Sequence, residues 1–223
     1  MTTSIVWPSI LKPRAFGVHK RARSVSGSSS LGGASQIAAS DAGIWVIEAG
    51  EFPVATADRI KLWRALEGLL CGRTNAMLFP IFEFERRPNP TGTALVGFGD
   101  GASFGDDTFF SQPAYDAMVS ENAALRATQI KIETGTGDDI EPGHFFSIGE
   151  RLYSVASIVD YDSPIPTLTI WPPLREAVEA GMSVDFNNPV CKVKLASDEE
   201  MSLTLDITQA GFPSIRLIED TSA

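Results

Sequence analysis

Two histidines and two cysteines are the residues of this chain whose types most often act as nucleophiles, general bases or metal ligands. His19 lies in a basic stretch near the start of the chain, and His144 follows a Pro-Gly turn. Cys71 and Cys191 form neither a CxxC pair nor a cluster with histidine, so a zinc site is not expected. The HExxH pattern is missing, and the GxSxG spacing at 101–105 lies in a glycine-rich segment without the strand and helix that a nucleophile elbow needs. We therefore expect no enzymatic activity, no metal and no cofactor.

Carboxylates in two segments offer the oxygen ligands that calcium prefers, but neither segment has EF-hand spacing. The first segment is rich in glycine, yet it lacks the strand and helix context of a dinucleotide site and the GK[ST] of a phosphate-binding loop. Solvated turns are the favoured interpretation of both segments. A glycosidase-type acid/base pair stays open for four further carboxylates, because the sequence does not fix their separation. These residues are Asp100, Asp106 and Asp107, then Asp138, Asp139 and Glu141, and for the pair Glu83, Glu85, Asp160 and Asp162.

The charge of the chain is acidic overall and unevenly distributed. The formal net charge is −10 and the isoelectric point is near 4.7. This charge disfavours bulk nucleic-acid binding and adhesion to anionic membranes. Basic residues crowd the start of the chain and acidic residues lie downstream. Such patches either let the chain stack on copies of itself or are two solvated faces of a monomer.

The chain divides, by its sequence, into an N-terminal arm at 1–40 and a single β-rich domain at 41–223. The arm contains a Ser/Gly-rich run at 24–33, which is typical of a flexible linker or of a segment that orders on a partner. Residues 86–124 have no clear periodicity but hold several aromatic residues. We interpret them as an inserted loop or arm that packs on its own domain or on a neighbouring subunit.

Alternating apolar residues and turn signals predict a mainly β fold, a β-sandwich or split barrel with one or two short α-helices and α+β at the margin. The best helix is predicted at 56–73, with Thr56 as N-cap and Gly72 as the stop. A second helix is predicted at 174–180 after two prolines. Strands are predicted at 42–50, 77–84, 129–133, 145–148, 151–159, 167–171, 190–195, 201–205 and 214–218.

Candidate interface residues come from the two arm-like segments. Trp7, beside Pro8 near the start, is the tryptophan that we expect at a subunit contact. The basic candidates lie in the N-terminal arm and the aromatic candidates in the inserted loop. They are Lys12, Arg14, Lys20, Arg21 and Arg23, and Phe98, Phe104, Phe109 and Phe110.

Several segments resemble the minor tail proteins of long-tailed bacteriophages, the siphophages, and in particular their distal tail proteins. The resemblance lies in PGHFFSIGERLYSV at 142–155, TLTIWPPLREAV at 167–178, VDFNNPVCKVKLA at 184–196 with DEEM at 198–201, and in WRAL at 63–66 and GRTN at 72–75. It is carried by strand and turn residues and not by a catalytic signature. It covers the last third of the chain well, the middle partly and residues 86–124 not at all.

The resemblance implies a structural virion protein, synthesised in the host cytoplasm and located in the virion tail. Members of that family form rings, commonly sixfold, between the tail tube and the tip. The implied partners are copies of the chain itself, the tail tube protein and the tail-tip hub protein, with no sequence-specific nucleic acid and no membrane. The alternatives are a receptor- or glycan-binding module at the tail tip and a hydrolase of cell-wall polymer.

Overall fold

The computed structural model describes residues 5–26, 37–82, 88, 92–96, 110–136, 139–160 and 165–222. The fold is mainly β with one α-helix, as the alternating sequence pattern predicts. The elements in chain order are β1 (Ile5–Val6), β2 (Ala15–Ser26), β3 (Ile37–Gly50), α1 (Ala57–Leu70), β4 (Met77–Pro80), β5 (Gly92–Val96), β6 (Phe110–Ala114), β7 (Asp116–Val119), β8 (Gln129–Thr136), β9 (Phe145–Ile148), β10 (Arg151–Ile158), β11 (Thr167–Trp171), β12 (Val184–Asp185), β13 (Val190–Leu195) and β14 (Ile215–Glu219).

The chain forms two compact units, where the sequence led us to expect a single domain over 41–223. The sheet unit comprises residues 1–82 and 190–223, and the barrel unit comprises residues 83–189. The chain leaves the sheet unit after β4 and returns to it in β13, and these two strands pair directly, with Pro80 opposite Val190. The barrel unit is therefore an insertion at the position of a hairpin turn.

The sheet unit is built on six strands in the order β1-β4-β13-β14-β3-β2. β1 runs parallel to β4, and the other neighbouring strands are antiparallel. Strand β13 alternates regularly between half-buried and buried residues, which is the pattern of a sheet with one face on a core. The sheet thus needs cover on one face, which the helix and an aromatic cluster provide.

The two ends of helix α1 are set by a capping side chain and by left-handed backbone dihedrals. The Oγ1 of Thr56 accepts a hydrogen bond from the backbone N–H of Arg59, which confirms the predicted N-cap. The helix ends at Leu70 and not at Arg73, because Cys71 and Gly72 adopt left-handed φ values of 49° and 61°. Trp63, Leu66 and Leu70 are buried, whereas Leu69 is 57% exposed.

An aromatic cluster fills the core beneath this helix. The Trp63 indole lies in the cluster with its ring centroid 5.3 Å from that of Phe52 and 6.0 Å from that of Trp7, and its Nε1–H donates to the Met201 carbonyl at 2.8 Å. Phe79 of β4 packs on Trp7 with ring centroids 5.0 Å apart. These separations lie in the range that aromatic pairs prefer. The segment 201–205, predicted to be a strand, is instead irregular, and Met201 is buried against the helix.

The N-terminal segment is not a free arm over its described residues. β1 joins the sheet beside β4, and β2 pairs with β3 along most of its length. The sheet hydrogen bonds of β14 reach β3 only at residues 46–49. Beyond them, residues 21–26 and 37–43 form a two-stranded ribbon, for which the described residues supply no third strand. Residues 27–36 lie outside the described part.

The barrel unit contains a second six-stranded antiparallel sheet, in the order β12-β9-β10-β11-β8-β7. Its two outer strands return to each other, because the Val119 N–H donates to the Met182 carbonyl at 2.9 Å and the Gly181 N–H donates to the Val119 carbonyl at 2.7 Å. An isolated bridge joins Met118 to Ser183 at the same seam. The sheet therefore closes almost completely into a barrel, which removes its free edges.

The interior of the barrel is filled by aliphatic and aromatic side chains from every strand. Phe146, Tyr153 and Phe186 stack inside it, with ring centroids of 5.7 Å for Phe146 with Tyr153 and 5.2 Å for Phe146 with Phe186. The β9–β10 hairpin turns at Gly149, whose φ of 59° favours glycine, as the sequence predicted.

Two segments of this unit differ from the sequence prediction. Residues 174–180 are not helical, because the N–H groups of Leu174 and Val178 donate to the carbonyls of Ala127 and Ala123 instead of to their own preceding turn. The presumed loop at 86–124 contains β5, β6 and β7, of which β5 and β6 pair as a separate hairpin. Tertiary pairing, which local sequence does not report, decides both cases.

Candidate interaction surfaces

Trp7, predicted at a subunit contact, is instead part of the core. Its side chain is 3% exposed and its Nε1–H donates to the Leu11 carbonyl at 2.7 Å. Pro8 starts a turn, closed by the Leu11 N–H on the Pro8 carbonyl, which folds the indole back onto the sheet. Local sequence does not predict this burial, because a tryptophan beside proline near a terminus looks the same whether it faces the core or a neighbour.

The basic candidates lie along β2 and the turn before it. Lys12 and Arg14 are exposed, and the Arg14 guanidinium lies 5.1 Å from the centre of the Phe212 ring. Lys20 and Arg21 are exposed where the ribbon leaves the sheet, and the Lys20 ammonium lies 5.8 Å from the Trp45 ring. Partial burial lowers the pKa of Lys20 from its ordinary 10.5. The Arg23 backbone belongs to β2, but its side chain lies outside the described part.

The aromatic candidates cannot be placed on a surface. Phe98, Phe104 and Phe109 lie outside the described residues, and so do Asp100, Asp106 and Asp107 of the first acidic segment. Phe110 begins β6, where its backbone pairs with Val96, but its side chain is not described. Their predicted interface role stays a prediction.

A shallow groove of about 570 Å³ crosses the exposed face of the sheet unit at the ends of β2, β3 and β14. Its lining includes several small residues, among them Gly17 and Gly50. On its wall, Glu48 lies between His19, whose Nε2 is 3.7 Å from Oε2, and Arg216, whose Nε is 3.3 Å from Oε1. All three side chains are more than half exposed, so these contacts hold the lining of the groove in place only weakly.

A second feature of the sheet unit, which sequence reasoning missed, is a rigid loop at 206–210. The Asp206 carboxylate accepts hydrogen bonds from the N–H and the hydroxyl of Thr208 and from the N–H of Ala210. These hydrogen bonds, led by the Thr208 hydroxyl, lower the pKa of Asp206 from its ordinary 3.8. The loop presents Ile207, which is 100% exposed. The Asp-x-Thr sequence, which is typical of an Asx turn, is the signal from which this loop could have been predicted.

One end of the barrel is acidic. The register of β8, β9, β10 and β11 brings the β8–β9 loop and the β10–β11 loop to the same end, because Phe145 lies opposite Ser154 and Ile158 lies opposite Leu168. Their described acidic residues are all exposed. They are Asp139, Glu141 and Asp160, and the ends of β7 and β12 add Asp116 and Asp185. We call this surface the acidic end.

His144 lies at the acidic end in a tight turn. Its Nδ1 accepts a hydrogen bond from the Glu141 N–H at 3.0 Å. Burial lowers the pKa of His144 from its ordinary 6.5, and the nearby Glu141 carboxylate opposes this shift. The histidine is thus held as a neutral acceptor in the turn at neutral pH.

Cys71, Cys191 and His144 belong to three different elements of the fold. Cys71 caps helix α1, Cys191 is buried in β13, and His144 belongs to the barrel unit. Within the residues that the structure describes, no three His, Cys, Asp or Glu side chains are grouped so that they could hold a metal ion. No helix in the described part is both long and apolar enough to cross a membrane.

No protein-family model matches the chain, and no curated protein matches it either. The features of this chain that bear on its function are the ribbon, the acidic end and the resemblance of the sequence segments.

Proposed function

We propose that this protein is a structural subunit of a long-tailed phage virion, which assembles with copies of itself into a ring between the tail tube and the tail tip. Its partners in this role are further copies of the chain, the tail tube protein and the tail-tip hub protein. The role is non-catalytic, and the virion tail is its location.

The observation that carries this proposal is the β2–β3 hairpin. β2 has 12 residues and is the outermost strand of its sheet, and its ribbon continues past the last sheet hydrogen bonds of β14. A long outer strand presents backbone N–H and C=O groups in a row, which makes it a template for contact with another chain. Two-stranded ribbons are only marginally stable alone in water, so contact with a neighbour would stabilise this one.

The segments that resemble phage tail proteins support the same role. Those at 142–155 and 167–178 build β9, β10 and β11 of the barrel, and that at 184–196 connects the barrel to β13 of the sheet unit. The motif at 63–66 supplies Trp63 and Leu66, both buried in the core of the sheet unit. The resemblance thus involves residues that specify both units and the connection between them.

Size-exclusion chromatography with light scattering tests self-assembly directly. The chain has a mass of 24.0 kDa, so a ring would elute at a whole multiple of that mass and appear as a closed particle by negative-stain electron microscopy. Gold-labelled antibody against the protein should mark the junction of tube and tip in virions. A monomer at every concentration and salt, with no label on virions, would reject the proposal.

The groove on the sheet unit favours a second candidate, a glycan-binding module. Sugar hydroxyls pair well with carboxylate and guanidinium groups, and Glu48 and Arg216 line the groove together with several small residues. A glycan array would show binding that Glu48→Gln abolishes, and Glu67→Gln on the exposed face of α1 is the matched control. If no glycan binds, this candidate is rejected and the ring subunit stands alone.

A further inference from the structure

We propose that the buried carboxylate of Glu219 fixes the base of the β2–β3 ribbon and thereby positions the ribbon for contact with a neighbouring copy. This inference rests on the proposed function and names the residue on which the assembling conformation depends. Glu219 ends β14, the strand beside which β3 lies before the ribbon leaves the sheet.

The place of Glu219 in β14 is unusual for a carboxylate. The strand alternates between buried and more exposed residues, and its buried row consists of Ile215, Leu217 and Glu219. Glu219 is only 6% exposed, in a row that otherwise carries aliphatic side chains. A buried carboxylate costs folding free energy unless hydrogen bonds satisfy it. Such a costly residue therefore indicates a role that an aliphatic side chain could not perform at this position.

The role follows from the group that Glu219 binds. The backbone N–H of Trp45 in β3 donates to its Oε2 at 3.0 Å. The paired register of β14 and β3 ends one residue earlier, at Ile218 opposite Val46, so Trp45 is next in line opposite Glu219. The side-chain carboxylate thus takes the N–H that a further step of the antiparallel ladder would use. Pairing of the two strands stops here, while the carboxylate still holds β3 to the sheet.

The ribbon starts directly beyond this hydrogen bond. On the other side of β3, β2 stays paired, with Lys20 opposite Trp45 and Arg21 opposite Ile44. Beyond this point the described residues supply no third strand. The Trp45 side chain is fully buried and its N–H is held, so the ribbon leaves the sheet from a fixed base. A segment that is already held loses less conformational entropy on docking, which favours assembly.

Two substitutions of Glu219 test the hydrogen bond. Glu219→Leu keeps the bulk but leaves the Trp45 N–H without its acceptor, so exchange at 37–45 should be about tenfold faster and copies should associate about tenfold more weakly. Glu219→Gln keeps an oxygen that accepts from the same N–H, so its association should stay within about threefold of the wild type. Hydrogen exchange by mass spectrometry and sedimentation velocity measure the two effects.

Asp220 provides the matched control, because it is the next residue in the chain and also a buried carboxylate. Its N–H donates to the Lys192 carbonyl of β13, and its side chain accepts from the Ser222 hydroxyl and lies 3.4 Å from the Lys194 Nζ. These contacts hold β13 and the end of the chain. Asp220→Leu should therefore lower stability but leave exchange at 37–45 and assembly as in the wild type.

A third variant covers the case in which Glu219→Leu does not fold, as judged by circular dichroism. Glu219→Asp keeps the charge but withdraws the carboxylate from the Trp45 N–H by one methylene. It should show the same faster exchange at 37–45 and the same weaker association as Glu219→Leu. Association of Glu219→Asp at the wild-type level would overturn the inference.

The outcomes separate this inference from the proposed function. Wild-type assembly that persists in Glu219→Leu, or exchange at 37–45 that does not change, would overturn the role of Glu219 and leave the ring subunit intact. Equal loss of assembly in Asp220→Leu would attribute the effect to general destabilisation, against our proposal. Loss in Glu219→Gln as large as in Glu219→Leu would overturn the hydrogen bond as the cause. A wild-type chain that stays monomeric would overturn the proposed function and the assembly role of Glu219 together.

Discussion

The two units of this molecule solve the same problem, the free edges of a β-sheet, in different ways. The barrel brings β7 back to the segment before β12, so each of its strands has a neighbour on both sides. The sheet unit stays open, with β1 of two residues at one edge and β2 of 12 residues at the other. A short edge offers little to a partner, whereas a long one is a site for pairing. The comparison teaches that the open unit exposes the backbone groups of a long outer strand, whereas the closed unit pairs the backbone groups of its strands with one another.

The cores of the two units also differ, as expected for one open and one closed sheet. The sheet unit buries Trp7, Trp63 and Phe52 between a helix and one face of its sheet. The barrel is filled from all sides, with Phe146 at the centre of its aromatic contacts. Each core lies within its own unit, which is why we expect damage to one to spare the other.

The largest loss of stability is expected when a buried aromatic side chain is removed from the core of either unit. Trp63→Ala should destabilise the sheet unit by about 3–5 kcal/mol, because it removes a fully buried indole, and Phe146→Ala should destabilise the barrel by a similar amount. Hydrogen exchange measured by mass spectrometry on peptides from β3 and β10 reports each unit separately. Each variant should lose protection in its own unit.

The controls for this pair are exposed apolar residues of the same units. Leu69 and Val159 are 57% and 58% exposed. Leu69→Ala and Val159→Ala should therefore each change the free energy of unfolding by no more than about 0.5 kcal/mol. If Trp63→Ala strips protection from both units equally, the two units are one cooperative structure and the comparison fails.

A smaller effect concerns the irregular segment that closes the sheet unit. A Cβ on Gly211 would lie 2.7 Å from the Thr204 backbone oxygen, so Gly211→Ala should cost about 1–3 kcal/mol. Gly68 in α1 has nothing within 4 Å of the same position, so Gly68→Ala should stabilise the unit by about 0.5–1 kcal/mol. Urea unfolding measures both. Equal effects of the two substitutions would contradict the packing of this segment.

A substitution at the seam of the barrel is expected to have a smaller effect on stability. Gly181 has a φ of 87° and donates to the Val119 carbonyl, so Gly181→Ala should cost about 1–2 kcal/mol through backbone strain. The Val119 amide should then exchange faster with solvent. Gly143→Ala, at a φ of 99° away from the seam, is the matched control and should leave the Val119 amide protected. Unchanged exchange of Val119 in Gly181→Ala would mean that the barrel does not depend on this seam.

The smallest effect is a difference in pH dependence between the units. The folded barrel lowers the pKa of His144, so the unfolded chain binds more protons just below 6.5. The stability that this provides is present above 6.5 and is lost as the pH falls to the lower pKa of the folded state. In the sheet unit, the pKa of Asp206 is lowered from 3.8, so its contribution is lost only in more acidic solution.

Exchange of the β10 amides across mildly acidic pH measures this difference. His144→Gln should remove the acid-induced loss of protection in the barrel, and His19→Gln in the sheet unit should not. A wild-type barrel whose protection is flat from neutral pH to about 5, well below the ordinary histidine value, would contradict the burial of this imidazole.

The surfaces were predictable to different degrees. The position of Lys20 and Arg21 in a basic segment and of Asp139, Glu141 and Asp160 in acidic loops was evident from the sequence. That the three acidic residues lie at one end of a barrel follows only from the register of β8 to β11. The prediction for Trp7 was wrong, because its burial depends on Phe52 and Phe79, which are distant in the chain.

The sequence by itself determined what depends on neighbouring residues. The sequence pattern specified strands such as β9, β11 and β13, Thr56 specified the start of α1, and Gly149 specified the turn of the β9–β10 hairpin, since these depend on local hydrogen bonds and backbone dihedrals. The tertiary structure alone decided what depends on distant contacts. The pairing of β4 with β13 created two units from one expected domain, and the seam between Val119 and Met182 closed the barrel. Such contacts follow from which long-range pairs bury the most apolar surface, and no local pattern encodes that outcome.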